Sequence, residues 1–122
     1  VLLDAATAGE DITAATGALL GLSQPALASL SEDRFGNYVV QIALRHAPPA
    51  QRAALLDRLL SAFDALAVGK CGSNVAEVLV ELSSDAQLEG VRAAIGVQHA
   101  ETLRSHQFGS YVMSALDGRR AA

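Results

Sequence analysis

The sequence predicts an all-α fold, a right-handed curved solenoid built from three-helix repeats of about 36 residues. Three observations carry this expectation. A short motif recurs at a nearly constant period. Between its copies, leucines and other apolar residues recur at helical spacing. Sustained period-two alternation and Asn-Gly hairpin signals are absent. Composition agrees, because 122 residues suit one domain and 51% of them are hydrophobic while only 4% are aromatic. Ala and Leu dominate, and these are the strongest helix formers.

The motif copies are Phe35-Gly36-Asn37-Tyr38-Val39-Val40-Gln41, Cys71-Gly72-Ser73-Asn74-Val75-Ala76-Glu77 and Phe108-Gly109-Ser110-Tyr111-Val112-Met113-Ser114. Asn37 to Ser73 is 36 residues, and Ser73 to Ser110 is 37. This period lies in the range of repeat arrays, where each unit buries its apolar face only against its neighbours.

Each unit reads as three short helices. The first helices are expected near 11–21, 50–61 and 85–96, and the second near 24–31, 63–69 and 99–105. The third start near 33, 71 and 107 and carry the motif. Asp33 is placed to cap the first motif helix, and Ser83-Ser84-Asp85 offers cap oxygens ahead of Gln87 and Glu89. Pro48-Pro49 ends one helix, and Pro49 can open the next at its first turn. These breaks divide the chain into repeats at 9–47, 48–83 and 84–118, within a single segment spanning 1–122. Val1 to Ala8 then reads as the tail of a preceding motif helix, and Arg119-Arg120-Ala121-Ala122 as a frayed or cut end. Val39, Val40, Val75, Val78, Leu79 and Val112 are expected to face the core, as is Cys71, which shares its slot with Phe35 and Phe108. Small glycines at 36, 72 and 109 let neighbouring helices approach.

The charge balance excludes a strongly basic nucleic-acid binder. Net charge is −4, so non-specific phosphate attraction is weak. Arg34, Lys70, Arg104 and His106 fall just before the motifs and could supply local positive charge. The single cysteine, Cys71, excludes a disulfide within the chain and fits a reducing compartment. No stretch approaches the roughly 20 apolar residues of a membrane span, and the N-terminus has no basic region preceding an apolar one. His46, His99, His106 and Cys71 have no metal-ligand spacing, so no metal or cofactor is expected. Nothing assembles a nucleophile, a base and an oxyanion site, so no enzyme is expected.

On a helix, residues i, i+1 and i+4 share one side. In the motif these are Asn37, Tyr38 and Gln41, then Ser73, Asn74 and Glu77, then Ser110, Tyr111 and Ser114. Two polar side chains one turn apart can grip the edge of a flat base. A planar residue between them can stack on a base face, which is worth about 1–3 kcal/mol per base.

These motifs resemble the recognition helices of the Pumilio (PUF) repeat family over residues 11 to 117. The resemblance implies single-stranded RNA as partner, three side chains per repeat contacting one base, and RNA running antiparallel to the chain. Asn37, Tyr38 and Gln41 match the family's uracil triplet, and Ser73, Asn74 and Glu77 its guanine triplet. The third triplet departs, because Ser114 stands where the family has Gln, Glu or Arg. A hydroxyl is too short to reach a base edge in that way, so Ser110, Tyr111 and Ser114 specify no base. The implied target is 5′-NGU-3′, within a messenger RNA 3′ untranslated region or ribosomal RNA. The implied role is post-transcriptional control in the cytoplasm, with the nucleolus as the alternative setting if the target is ribosomal RNA. The chain reads as three repeats from the C-terminal part of a longer protein, with protein partners on the convex face. The competing expectation is a helical scaffold or structural subunit of a ribonucleoprotein assembly that binds protein, as other α-solenoids do. The acidic balance favours it.

Overall fold

The structure is a computed structural model that describes residues 5–121, with side chains from 9 to 119. Among the described residues there are eight helices and no strand. They are α1 (Ala5–Leu20), α2 (Gln24–Glu32), α3 (Gly36–His46), α4 (Pro49–Leu60), α5 (Phe63–Ala67), α6 (Gly72–Leu82), α7 (Asp85–Ser105) and α8 (Gly109–Ala121). Their order and mutual packing make an all-α repeat solenoid. The motif helices α3, α6 and α8 lie side by side, α3 against α6 and α6 against α8. α1 packs on α3 and α4, α2 on α3, α5 on α6, and α7 on α8.

Local chemistry explains the breaks. Ser23 caps α2 by accepting from the Ala26 N–H, and Pro25 sits in its first turn. Asp33 ends α2 with extended backbone and starts α3, its Oδ2 accepting from the Phe35 and Gly36 N–H groups. Ala47 is extended before Pro48, as a residue preceding proline should be, and Pro49 opens α4. Ser84 begins α7 with a full capping box, in which its Oγ accepts from the Gln87 N–H and the Gln87 side-chain oxygen accepts from the Ser84 N–H.

The break expected between helices at 85–96 and 99–105 is a bend at Gly96 (φ 75°, ψ 171°), across which the two run on as α7. Only glycine adopts that conformation cheaply, so the chain turns there without a loop. Residues 5–8, expected as part of a preceding tail, form the start of α1, while Val1–Asp4 lie outside the described residues.

The core runs through the repeats as a stack of leucines and valines. Leu27, Leu44, Leu55, Leu59, Leu66, Leu79, Leu88, Leu103 and Leu116 are all fully buried. Of the motif residues expected inside, Val40, Val75, Val78, Leu79 and Val112 are buried. Val39 is not, at 45% exposed, because it lines an open apolar groove between α3 and α1. The slot of Phe35, Cys71 and Phe108 is also not core: Phe35 is 69% exposed, and Cys71 and Phe108 are half-buried. These residues occupy the turn just before each motif helix.

Candidate nucleic-acid interface

Each motif helix is set in place by the same close approach. A methyl group added at Gly36, Gly72 or Gly109 would lie 2.6, 2.8 or 2.6 Å from the carbonyl oxygen of Leu30, Leu66 or Leu103. Real side chains do not come so near, so glycine permits the second helix of each repeat to pass directly over the start of the third.

The turn before each helix also needs an acceptor for its first N–H groups. Asp33 supplies it for α3, and its carboxyl group is held below its usual range by the Gly36 and Phe35 N–H groups. His106 Nδ1 supplies it for α8, accepting from Phe108 and Gly109 at 3.1 and 3.2 Å. The equivalent residue before α6 is Gly69, which has no side chain. There the carboxylate of Glu32, from the preceding repeat, reaches in and accepts from the Gly72 N–H at 3.2 Å. It occupies the space a side chain at Gly69 would fill. Burial pushes the Glu32 carboxyl up, opposed by the Gly72 hydrogen bond.

The triplets stand one turn further on. Their first residues turn inward and bond to the preceding carbonyls. Asn37 Nδ2 donates to the Asp33 and Arg34 carbonyls at 2.8 and 3.0 Å. Ser73 Oγ donates to Lys70 and Ser110 Oγ to Gln107, at 3.2 and 3.3 Å. Asn37 and Ser73 are buried and Ser110 is half-buried. The second residues, Tyr38, Asn74 and Tyr111, all point outward and are exposed. Of the last residues, Gln41 and Glu77 are half-buried and Ser114 is exposed. Gln41 Nε2 donates to Asn37 Oδ1 at 2.9 Å.

α3 and α6 enclose a shallow groove lined by Tyr38, Gln41, Arg45, Asn74, Glu77, Val78 and Glu81. The outer members of the first two triplets therefore meet on one surface, whereas Tyr111 and Ser114 stand on α8 outside that groove. Arg45 and Glu81 were not singled out in the sequence. Arg45 Nη2 and Glu81 Oε2 lie 2.7 Å apart across the groove. Both follow the last triplet residue by four and are 36 residues apart, so the repeat register itself was the signal that could have found them.

The basic residues expected ahead of the motifs behave differently from one another. Arg34 lies over the Phe35 ring, 4.9 Å from its centroid, and Lys70 is exposed. Arg104 is paired with Asp117 at 3.0 Å, and His106 is committed to its cap. Other arginines bond to backbone carbonyls: Arg58 donates to those of Leu20 and Leu22, Arg92 to Leu116 and Arg119 to Val80. Among the described residues no group of three or more His, Cys, Asp or Glu side chains is placed to hold a metal ion, and no helix is long and apolar enough to cross a membrane.

Two comparisons with known proteins point to one family. The sequence profile of the Pumilio-family RNA binding repeat matches residues 27–60 and 105–113. Pumilio homolog 12 of Arabidopsis thaliana is 30% identical over 87 residues, which cover 70% of this chain and 15% of that relative.

Proposed function

This chain belongs to the Pumilio repeat family, and from that premise we propose that it binds single-stranded RNA in a sequence-specific way, one base per repeat, along α3, α6 and α8. The observation that carries the reading is the amide chain from Asn37 to Gln41. Asn37 gives its Nδ2 hydrogens to two backbone carbonyls, so its Oδ1 faces Gln41, and Gln41 must turn Nε2 toward it. Gln41 then keeps Oε1 and one Nε2 hydrogen for a ligand. One acceptor beside one donor complements uracil, which presents its N3–H beside a carbonyl. Asn37 acts in this reading by orienting Gln41.

On α6 the hydroxyl of Ser73 is tied to the backbone, which leaves Glu77 as the reading group. An ionised carboxylate only accepts. Guanine offers two donors on one edge, N1–H and N2–H, and uracil offers one. Tyr38 and Asn74, exposed beside these readers, lie against the base faces. On α8, Tyr111 stacks while Ser110 and Ser114 leave the base unspecified. The target is 5′-NGU-3′, and the role is post-transcriptional control of messenger RNA in the cytoplasm, with ribosomal RNA as the other class of target.

The rival, a protein-binding scaffold, draws its support from charge: the chain is at −4, and several of its arginines are engaged by backbone carbonyls. Fluorescence anisotropy at fixed salt separates the two, with short RNAs carrying a central GU or the swapped UG. Tighter binding to GU is expected. Glu77→Gln should lower the preference for guanine at the middle base by about tenfold, the effect of losing one good base-edge contact, with little change in thermal midpoint. An equal loss for all four bases would sink the guanine assignment. Binding indifferent to sequence would favour the scaffold.

A further inference from the structure

We propose that Arg45 is the phosphate-binding residue of the groove between α3 and α6, and that Glu81 holds it in place until RNA displaces the carboxylate. The inference rests on the RNA-binding reading above and extends it from bases to the backbone that joins them. Two adjacent nucleotides held on α3 and α6 are linked by one phosphodiester, and that link must cross the space between the two helices. Of the seven residues lining this space, Arg45 alone carries positive charge, and Glu77 and Glu81 are both acidic. Without Arg45 the only charged groups a phosphate would meet there are carboxylates.

Arg45 is also available. Its side chain is 40% exposed and that of Glu81 is 57% exposed, so their bond lies at the surface and exchanges with solvent. Arg58, Arg92 and Arg119, by contrast, each donate to backbone carbonyls of a neighbouring repeat element and do not line this groove. A guanidinium is the group best suited to leave one oxyanion for another, since its planar fork fits a phosphate as it fits a carboxylate. The pair occupies one repeat slot with opposite signs, and the third repeat has Gly118 in that slot. The arrangement is therefore confined to the groove where the two base-reading triplets meet.

The test measures RNA affinity of the whole chain against salt, by anisotropy with single-stranded oligonucleotides of central GU and UG sequence. Arg45→Ala should weaken binding by roughly fivefold or more, equally for both RNAs. It should also make the slope of log affinity against log salt shallower by about 0.7, the share of one phosphate in a single strand. Arg45→Lys should recover most of the slope. Glu81→Gln should tighten binding, because it frees the guanidinium. If instead Arg45→Ala and Glu81→Gln both lower the thermal midpoint, neither tightens binding and the salt slope stays fixed, the pair is only a tie between repeats and the proposal is overturned. A wild-type chain that prefers GU with an unchanged slope in Arg45→Ala overturns this proposal and spares the base reading. A wild-type chain that binds neither RNA removes both.

Discussion

Gly109 and Gly90 carry the same residue type into opposite circumstances. A methyl at Gly109 would meet the Leu103 carbonyl at 2.6 Å, whereas at Gly90, inside α7, it would meet nothing within 4 Å. Gly109→Ala should therefore destabilise by about 1–3 kcal/mol, as overpacking against fixed backbone does. Gly90→Ala should stabilise by about 0.5–1 kcal/mol through helix propensity. Urea denaturation of the two variants checks both signs. Asp33 supports a second expectation, in pH. Its carboxyl lies below the usual range because two N–H groups bond to its charged form. Its contribution is complete above the unfolded value of about 3.9 and is lost as pH falls through the lower folded value. Thermal midpoints followed from about pH 5 to pH 2 should fall more steeply for the wild type than for Asp33→Ala. The glycines and Asp33 were legible in the sequence because their roles depend on residues close in the chain. The exposure of Phe35 was not. Register shows that Phe35, Cys71 and Phe108 share an environment, without showing whether that environment is inside or out.

Among the elements, α7 shows what local signals resolve and what they leave open. Its start was readable from Ser84, and the capping box formed there with Gln87 gives Ser84→Ala an expected cost of about 1 kcal/mol. A chemical denaturation midpoint shifted with unchanged slope would bear that out, and no shift would show that α7 is held by packing alone. Its break was readable too, at the end of the helix expected over 85–96, whereas the left-handed backbone of Gly96 depends on the way the chain folds over α8. The start of α6 eluded sequence reading for a related reason. Its cap, Glu32, lies 40 residues before Gly72 and in another repeat. The triplets were legible as to which residues form them, and less so as to orientation. Spacing put Asn37 and Gln41 on one face, whereas the inward turn of Asn37 follows from carbonyls that only the folded turn brings within reach.

Across the whole molecule, equivalent positions in successive repeats experience different burial. Val39, Val75 and Val112 share one slot, at 45%, 0% and 0% exposed, and Ile42 and Val78 share another, at 51% and 4%. In the second and third repeats these residues are covered by the preceding motif helix. In the first they border an apolar groove with Ile12 and Ala15 of α1. Val75→Ala should therefore cost about 1–3 kcal/mol, by analogy with other large-to-small core changes. Val39→Ala should change stability by no more than about 0.5 kcal/mol. Calorimetry of the two single variants compares them directly, and equal costs would refute the repeat-by-repeat reading of burial. The period and the helical class were readable because they are properties of the chain itself. The asymmetry between the first repeat and the others arises from stacking, and no single motif copy contains it.

The carboxylate of Glu32 has a consequence for how the array comes apart. α6 borrows its first-turn acceptor from α2, so the opening turn of the second repeat is complete only while the first repeat is folded. Fraying that begins near α2 removes this acceptor together with the packing between α3 and α6. The two repeats are thereby joined into one cooperative unfolding unit. α8 supplies its own acceptor from His106 and does not depend on its neighbour in this way. Hydrogen exchange at the Gly72 amide should accordingly report the opening of the first repeat, whereas exchange at Gly109 should report only the third.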